Sequence, residues 1–319
     1  MRKSSLTLAY FLAVINASFI GFSFLMSKIA IDNAHPLDTL AFRFAASFTA
    51  MSIPVAFGWI KLNYRGKPFG RLILLSTLYP LGFFTLQAYG LQHATSAEGG
   101  ILYAFTPAMT TILASFFLKE RTSALQKLSI LLSAFGVVFI FVMKDGGIAW
   151  SSMVGISLLL MTCVAFAGYS VFARSLTKQF TPVEITYLIL GVGFVSFMAA
   201  SFTRHAASGT LTKFAAPLAN SSFVLAILFL GVLATLTSAL TSNYLLSKME
   251  ASKASVFNNL STIVSIAAGA MFLEEKVTIY HLIGSVLIVA GVIGTQRLGH
   301  ANLRKSGAPV KHERRTLPG

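Results

Sequence analysis

The sequence predicts an all-α membrane protein: ten transmembrane helices built as two inverted-topology five-helix repeats. Three observations carry this. The composition is 55% apolar and only 11% charged. Apolar runs of spanning length recur from end to end. Segments of the first half reappear 155 residues later in the second.

Soluble domains carry roughly 25% charged residues. A chain of 319 residues with a mean hydropathy of +0.75 lacks the polar side chains needed to cover a water-facing surface. Lipid imposes no such requirement. The net charge of +15 raises the question of a polyanionic partner. The basic residues lie between apolar runs and in the tail, not on one folded face, so no nucleic-acid partner is expected. Cys163 is the single cysteine, so no internal disulfide can form, and it reads as an inert membrane thiol. Met1-Arg2-Lys3 followed by apolar residues resembles a signal peptide. The run from Leu6 to Ile31 is too long for one and lacks a small-residue cleavage site, so a retained first helix is expected.

The expected spans are 7–31, 37–60, 70–92, 97–118, 124–143, 151–174, 182–203, 222–246, 252–273 and 278–298. Each is near the ~20 residues with which a helix crosses ~30 Å of hydrocarbon. Helices satisfy their backbone polar groups internally, as lipid demands. A barrel would need alternating strands, and Leu158 to Ala167 does not alternate. Turn or charge signals separate the spans. His35-Pro36 closes the first, Arg65-Gly66-Lys67-Pro68 the second, and Lys119-Glu120-Arg121 the fourth. Lys144-Asp145-Gly146-Gly147 closes the fifth and Thr181-Pro182 the sixth. The connections are short, so no soluble domain is inserted. The tail, 301–319, is polar and basic and is expected to be disordered.

Lys and Arg placement orients the chain. With the N-terminus inside, nineteen of the 25 basic residues face the cytoplasm, from Arg2 and Lys3 to Arg314 and Arg315. Five face outward: Lys28, Lys144, Arg204, Lys213 and Lys276. The remaining one, Arg43, lies inside a span. Both termini are therefore expected in the cytoplasm of a cell whose inner membrane holds the protein.

The repeat is the most informative pattern. Phe117-Leu118-Lys119-Glu120-Arg121 recurs 155 residues on as Phe272-Leu273-Glu274-Glu275-Lys276. At that offset Gly136 matches Gly291, Val137 Val292, Tyr89 Tyr244 and Leu91 Leu246. At an offset of 147, Gly21-Phe22-Ser23 matches Gly168-Tyr169-Ser170, and one gap brings Pro36 onto Pro182. The repeats are thus 1–147 and 148–300, with five spans each. An odd number of spans makes the second repeat enter from the opposite side. Inverted repeats are the signature of secondary transporters, whose solute site lies near mid-membrane between the halves. Two similar units facing oppositely can exchange conformations, giving inward- and outward-open states of similar energy. The alternative is a duplicated scaffold without transport.

These residues resemble the drug/metabolite transporter superfamily, in its EamA-type branch. In that branch the fourth and ninth helices end in a Phe/Leu-rich run followed by Glu-Arg or a variant, and a glycine-bearing helix follows. Here the copies are Ala114-Ser115-Phe116-Phe117-Leu118-Lys119-Glu120-Arg121, then Gly136, and Met271-Phe272-Leu273-Glu274-Glu275-Lys276, then Gly284 and Gly291. Gly21 and Lys28 in the first helix and Arg43 in the second fit the same pattern. The resemblance covers residues 5–298. Ser129 stands where the second copy has Gly284, and Lys276 replaces the family arginine. The resemblance implies transport, in a family with exporters of amino acids and metabolites, and it names no solute.

Every Asp and Glu falls at or beyond an expected helix end, so the sequence holds no mid-bilayer carboxylate relay. Glu98 is the nearest candidate for coupling; it opens the fourth helix, where a carboxylate also suits the helix N-terminus. Arg43 is the one clear intramembrane charge. It either snorkels to outer headgroups or bonds carbonyls, or it serves gating or anion attraction.

Uncharged polar residues are the better pathway candidates. Tyr103, Thr106 and Thr110 fall at helical spacing on the fourth helix, and Asn258, Thr262 and Ser265 on the ninth. The offset pairs Tyr103 with Asn258 and Thr110 with Ser265. Asn16 and Ser23 form a stripe on the first helix; Gln87 on the third and Ser238, Ser242 and Asn243 on the eighth add to it. Phe19, Tyr103 and Tyr169 are candidate cavity walls. The competing reading is that Ser and Thr bond back to their own helix or stitch helices together. A neutral aromatic-and-amide cavity suits amino acids or drug-like amphipathic solutes.

An intramembrane enzyme would need a nucleophile–base pair or metal cluster at depth. The histidines sit at expected helix ends or in the tail, and no hydrolase or zinc motif occurs. No catalytic residue, metal or cofactor is expected. A scaffold or receptor remains a rival, with little loop to bind a partner. The expected partners are a small-molecule solute and the lipid bilayer.

Overall fold

The computed structural model of the chain describes residues 3–117, 123–143, 150–248 and 258–305. Among the described residues there is no strand, and ten helical segments follow one another. They are α1 (Lys3–Asn33), α2 (Pro36–Ala56), α3 (Phe69–Gly90), α4 (Ser96–Phe117) and α5 (Ala124–Met143). Then come α6 (Trp150–Leu176), α7 (Pro182–Ala207), α8 (Ser221–Lys248), α9 (Asn258–Phe272) and α10 (Ile279–Lys305). Seven are long and apolar enough to cross a membrane: α1 to α4 and α6 to α8. Three shorter apolar stretches, Lys127–Ile140, Ser261–Phe272 and Ile279–Gly291, complete the series.

Two helix starts carry reciprocal caps from within the chain. Thr95 and Glu98 form a capping box on α4, and Thr181 and Glu184 form one on α7. Each covers two of the amide donors that a helix start leaves orphaned, which matters most where water is scarce. The second span was expected to reach residue 60, yet α2 ends at Ala56. Gly58, at φ +72°, takes the left-handed conformation that closes a helix. The tenth helix was expected to stop at 298 and runs on to Lys305. The disorder expected for the tail concerns residues of which 306–319 lie outside the described ones, as do residues 252–257 of the expected ninth span.

Three pairs of equivalent helices, α2 with α7, α4 with α9 and α5 with α10, pack against each other and run antiparallel. At one end of the α2–α7 pair, Asp38 near the start of α2 meets Arg204 near the end of α7 at 2.6 Å, and also bonds Ser201. At the other end, Glu184 near the start of α7 meets Lys67, just beyond α2, at 2.6 Å. There the Asn63 amide donates to Glu184 Oε1 and the Tyr64 hydroxyl donates to the Glu184 carbonyl, at 3.0 and 2.8 Å. Burial and the neighbouring Glu184 carboxylate push the Tyr64 phenol well above its ordinary range, so it stays a neutral donor.

The α4–α9 and α5–α10 pairs behave alike. Ser265 Oγ donates to the Ser96 carbonyl at 2.8 Å and Thr262 Oγ1 to the Gly100 carbonyl at 2.9 Å, so α9 descends as α4 rises. Ser133 Oγ donates to the Ile288 carbonyl at 3.3 Å between α5 and α10. Gly136 allows that approach: a Cβ there would sit 2.8 Å from the Gly284 carbonyl oxygen. Small residues and interhelical hydroxyl bonds are how helices associate where lipid offers no hydrophobic drive.

Two helices are irregular at mid-length. In α3 the stretch Thr77–Gly82 is wide-turned, Tyr79 leaves helical geometry at φ −145°, ψ 114°, and the Tyr79–Pro80 peptide is cis. In α8 the stretch Phe229–Thr237 is wide-turned as well. Under the 155-residue offset, 77–82 falls on 232–237. Irregular backbone at membrane depth is tolerated where protein buries it or a cavity borders it. Both conditions hold here.

Candidate functional site

A small, partly open cavity of about 30 Å³ lies between α3 and α8, bordered by residues of α1, α2, α4 and α6. Its walls repeat the sequence offset. Tyr79, Phe83 and Gln87 line it from α3, and Ala234, Ser238 and Ser242 line it from α8. Each member of the second set stands 155 residues after one of the first. The spacing of four within each set keeps all three on one helix face. The axis relating the repeats therefore passes by the cavity, and the bulky wall of one repeat faces the small, hydroxyl-bearing wall of the other.

Aromatic rings form most of the enclosure. Tyr79 stands 5.3 Å from Phe83, 5.2 Å from Phe84 and 5.6 Å from Phe166, centroid to centroid. Tyr103 closes the group, 6.2 Å from Phe83 and 5.8 Å from Phe166. These tilted and edge-on contacts hold the wall rigid.

Arg43 does not snorkel. It is 3% exposed and lines the cavity. Its Nε donates to Thr235 Oγ1 at 2.7 Å, and Nη1 donates to Ser27 Oγ at 3.3 Å. The guanidinium carbon lies 4.3 Å from the Phe84 ring centroid. Arg43 thus ties α2 to α1 and α8 and turns its charge toward the interior.

Of the residues singled out from sequence, Ser23, Gln87, Tyr103, Ser238, Ser242 and Arg43 stand on the cavity wall. Asn16 stands behind it, its amide nitrogen 3.5 Å from Ser242 Oγ. The others are engaged elsewhere. Phe19 packs edge-on against Phe229 at 6.3 Å. Thr106 is fully buried within α4, and Thr110 donates back to the Thr106 carbonyl at 2.9 Å. Thr262 is taken up by the α4 contact. Tyr169 donates to Asn243 Oδ1 at 2.6 Å, and Asn243 donates to Thr186 Oγ1 at 3.0 Å, joining α6, α8 and α7. Glu98 belongs to its capping box, with His281 Nε2 at 4.0 Å. The Asn258 side chain lies outside the described residues.

Sequence reasoning passed over Tyr79, Phe83, Phe84 and Phe166. The signal for one of them was present. Subtracting the offset from Ser238 and Ser242 gives Phe83 and Gln87. Among the described residues no group of acidic, histidine or cysteine side chains is arranged to hold a metal.

The sequence model of the EamA-like transporter family matches residues 7–142 and again residues 153–296. An uncharacterized transporter of Bacillus subtilis (strain 168), YcxC, is 42% identical over 311 residues, 98% of this chain and all of that protein. A probable amino-acid metabolite efflux pump of Escherichia coli (strain K12) is 23% identical over 277 residues, 85% of this chain and 89% of that one. A solved crystal structure superposes with a TM-score of 0.59 at 19% identity, covering 94% of this chain and 99% of its own, which is a likeness of fold.

Proposed function

The chain belongs to the EamA-like transporter family, and from that premise we propose that it moves small metabolites by alternating access. Membership makes it a multi-pass membrane transporter rather than an enzyme. The finer reading is a secondary transporter that exports amino acids or similar amphipathic solutes. Its repeats, 1–147 and 148–300, sit in the inner membrane with both termini in the cytoplasm.

One observation carries this reading: the cavity is walled by equivalent positions of α3 and α8, Phe83 with Ser238 and Gln87 with Ser242. A site on the axis between inverted halves meets both faces of the membrane equally when the halves exchange conformations. The irregular stretches of α3 and α8 border the same cavity, where hinge motion needs few broken backbone bonds. The name of the Escherichia coli relative supports an amino-acid-like solute and outward transport.

The test begins with metabolite profiles of cells lacking and overproducing the protein, followed by liposome flux of the solutes that respond. Tyr103→Ala and Gln87→Ala are expected to lower flux per inserted molecule by about tenfold. Phe116→Ala, at a residue 78% exposed on the outer surface of α4, is expected to leave it unchanged. Unaltered flux in both cavity variants would refute the site.

A further inference from the structure

Among the described residues, Arg43 is a buried cation with no acid bonded to it. Among the described residues its bonds go to two neutral hydroxyls, and no carboxylate lines the cavity. The nearby acids are committed elsewhere: Asp38 to Ser201 and Arg204, Glu184 to Lys67, and Glu275 to the amides of Ser96 and Ala97. A guanidinium offers five N–H donors in a planar fork, and Thr235 and Ser27 engage only part of it. Holding an ion in a dry interior is costly unless its charge and donors are met. Two hydroxyls and one ring face offset only part of that.

Two further observations point to a polar occupant. Ser238 Oγ is buried on the cavity wall with no hydrogen-bond partner, and Asn16 Oδ1 behind the wall has none either. The charge also breaks the repeat. The offset that brings Pro36 onto Pro182 brings Arg43 onto Ile189, which is fully buried. The scaffold therefore does not need a cation at this position, since its other half is built without one.

We infer that the cavity, widened as the two halves part, takes an organic solute bearing a single carboxylate, which seats on Arg43. Its second polar group reaches Gln87, Ser238 and Ser242, and its apolar body lies against Phe83, Tyr103 and Phe166. The inference rests on the transport reading above and narrows its solute class. A carboxylate presents two oxygens in the geometry of the guanidinium fork. A net-cationic solute meets Arg43 with no acid to compensate, and is rejected. Chloride shares the charge without the fork, so an inorganic anion is the competing source.

The experiment uses the purified full-length chain, first in thermal-shift titrations and then in proteoliposome counterflow. The probes are pairs: L-leucine with L-leucinamide, L-phenylalanine with L-phenylalaninamide, and phenylacetate with phenylacetamide. Chloride, added to a chloride-free buffer, forms the inorganic arm. At least one carboxylate is expected to act saturably, with its amide weaker by about tenfold or more. Arg43→Lys is expected to keep a reduced preference. Arg43→Gln is expected to abolish it, so that carboxylate and amide act alike. A preference unchanged in Arg43→Gln overturns the inference, because a merely structural arginine would leave selectivity intact. A wild-type preference for the amides overturns it too, as does protection by chloride that no carboxylate competes with. If Arg43→Gln does not fold, the wild-type ratio and the Arg43→Lys variant still decide. Movement of amide probes alone defeats this inference and spares the transport reading. Movement of no probe defeats both.

Discussion

Asp38 and Glu184 hold the same place in the two repeats: each is the third residue of its helix, and each is gripped by a cation at or beyond the C-terminal end of the other's helix. Asp38 meets Arg204 at 2.6 Å, and Glu184 meets Lys67 at 2.6 Å. The two pairs fasten opposite ends of the α2–α7 contact. They differ in their further partners: the Asp38 carboxylate also bonds the buried Ser201 and lies 3.3 Å from the buried His205, whereas Lys67 comes from a loop. Asp38→Asn is therefore expected to cost about 2 kcal/mol by stranding its buried partners. Lys67→Ala is expected to cost about 1 kcal/mol or less, since that cation is partly solvated. Thermal unfolding in detergent checks the order, and an equal or reversed order counts against it.

The antiparallel packing of α2 and α7 places their following loops on opposite faces. In a Cys163→Ser background, Arg65→Cys and Lys213→Cys should label from opposite sides of the membrane with an impermeant maleimide. Arg65→Cys should be protected in intact cells and Lys213→Cys exposed. Labelling of both from one side would end the inverted arrangement.

His35 caps α2: its Nδ1 accepts from the Leu37 amide at 3.2 Å. Burial, with Arg204 close by, holds its pKa below the ordinary histidine value of 6.5. The folded state thus prefers the neutral ring, and unfolding takes up a proton. Its contribution is complete above that ordinary value and declines as the pH falls through it toward the lower folded value. A melting series from pH 7.5 to 5 should show a decline that His35→Ser reduces, since serine caps without titrating. Identical slopes in the two proteins would remove His35 from the account.

Tyr169→Phe tests a polar residue directly behind the cavity wall, its ring 4.8 Å from that of Tyr79. It removes the hydroxyl that donates to Asn243 at 2.6 Å and leaves that amide oxygen unpaired in a dry core. Stability should fall by about 1–2 kcal/mol, while flux per folded molecule stays at the wild-type level. A selective loss of flux at unchanged melting temperature would move Tyr169 into the transport path.

Hydrophobic runs and turn signals made the spans legible, because a bilayer fixes the length and polarity of whatever crosses it. The repeat made the inversion legible, because five crossings return the chain to the opposite face. The site was legible only in part. Thr262 and Ser265 form as clean a polar stripe as any in the chain, yet both hydroxyls bond α4 carbonyls. Ser238, with no better signal, stands on the cavity wall. Periodicity tells which face of a helix is polar, and it carries no information about which neighbour that face meets.

By itself the sequence determined the helices, their inverted pairing and the presence of one charge within the membrane, since each follows from local composition and from an internal repeat. Tertiary structure alone decided what that charge sees. Packing of α1, α3 and α8 around α2 turned Arg43 away from headgroups, set it against Phe84 and pointed it into the cavity. The reason is physical: the cost of a buried ion depends on every neighbour within a few ångströms, and those neighbours come from helices far apart in the chain.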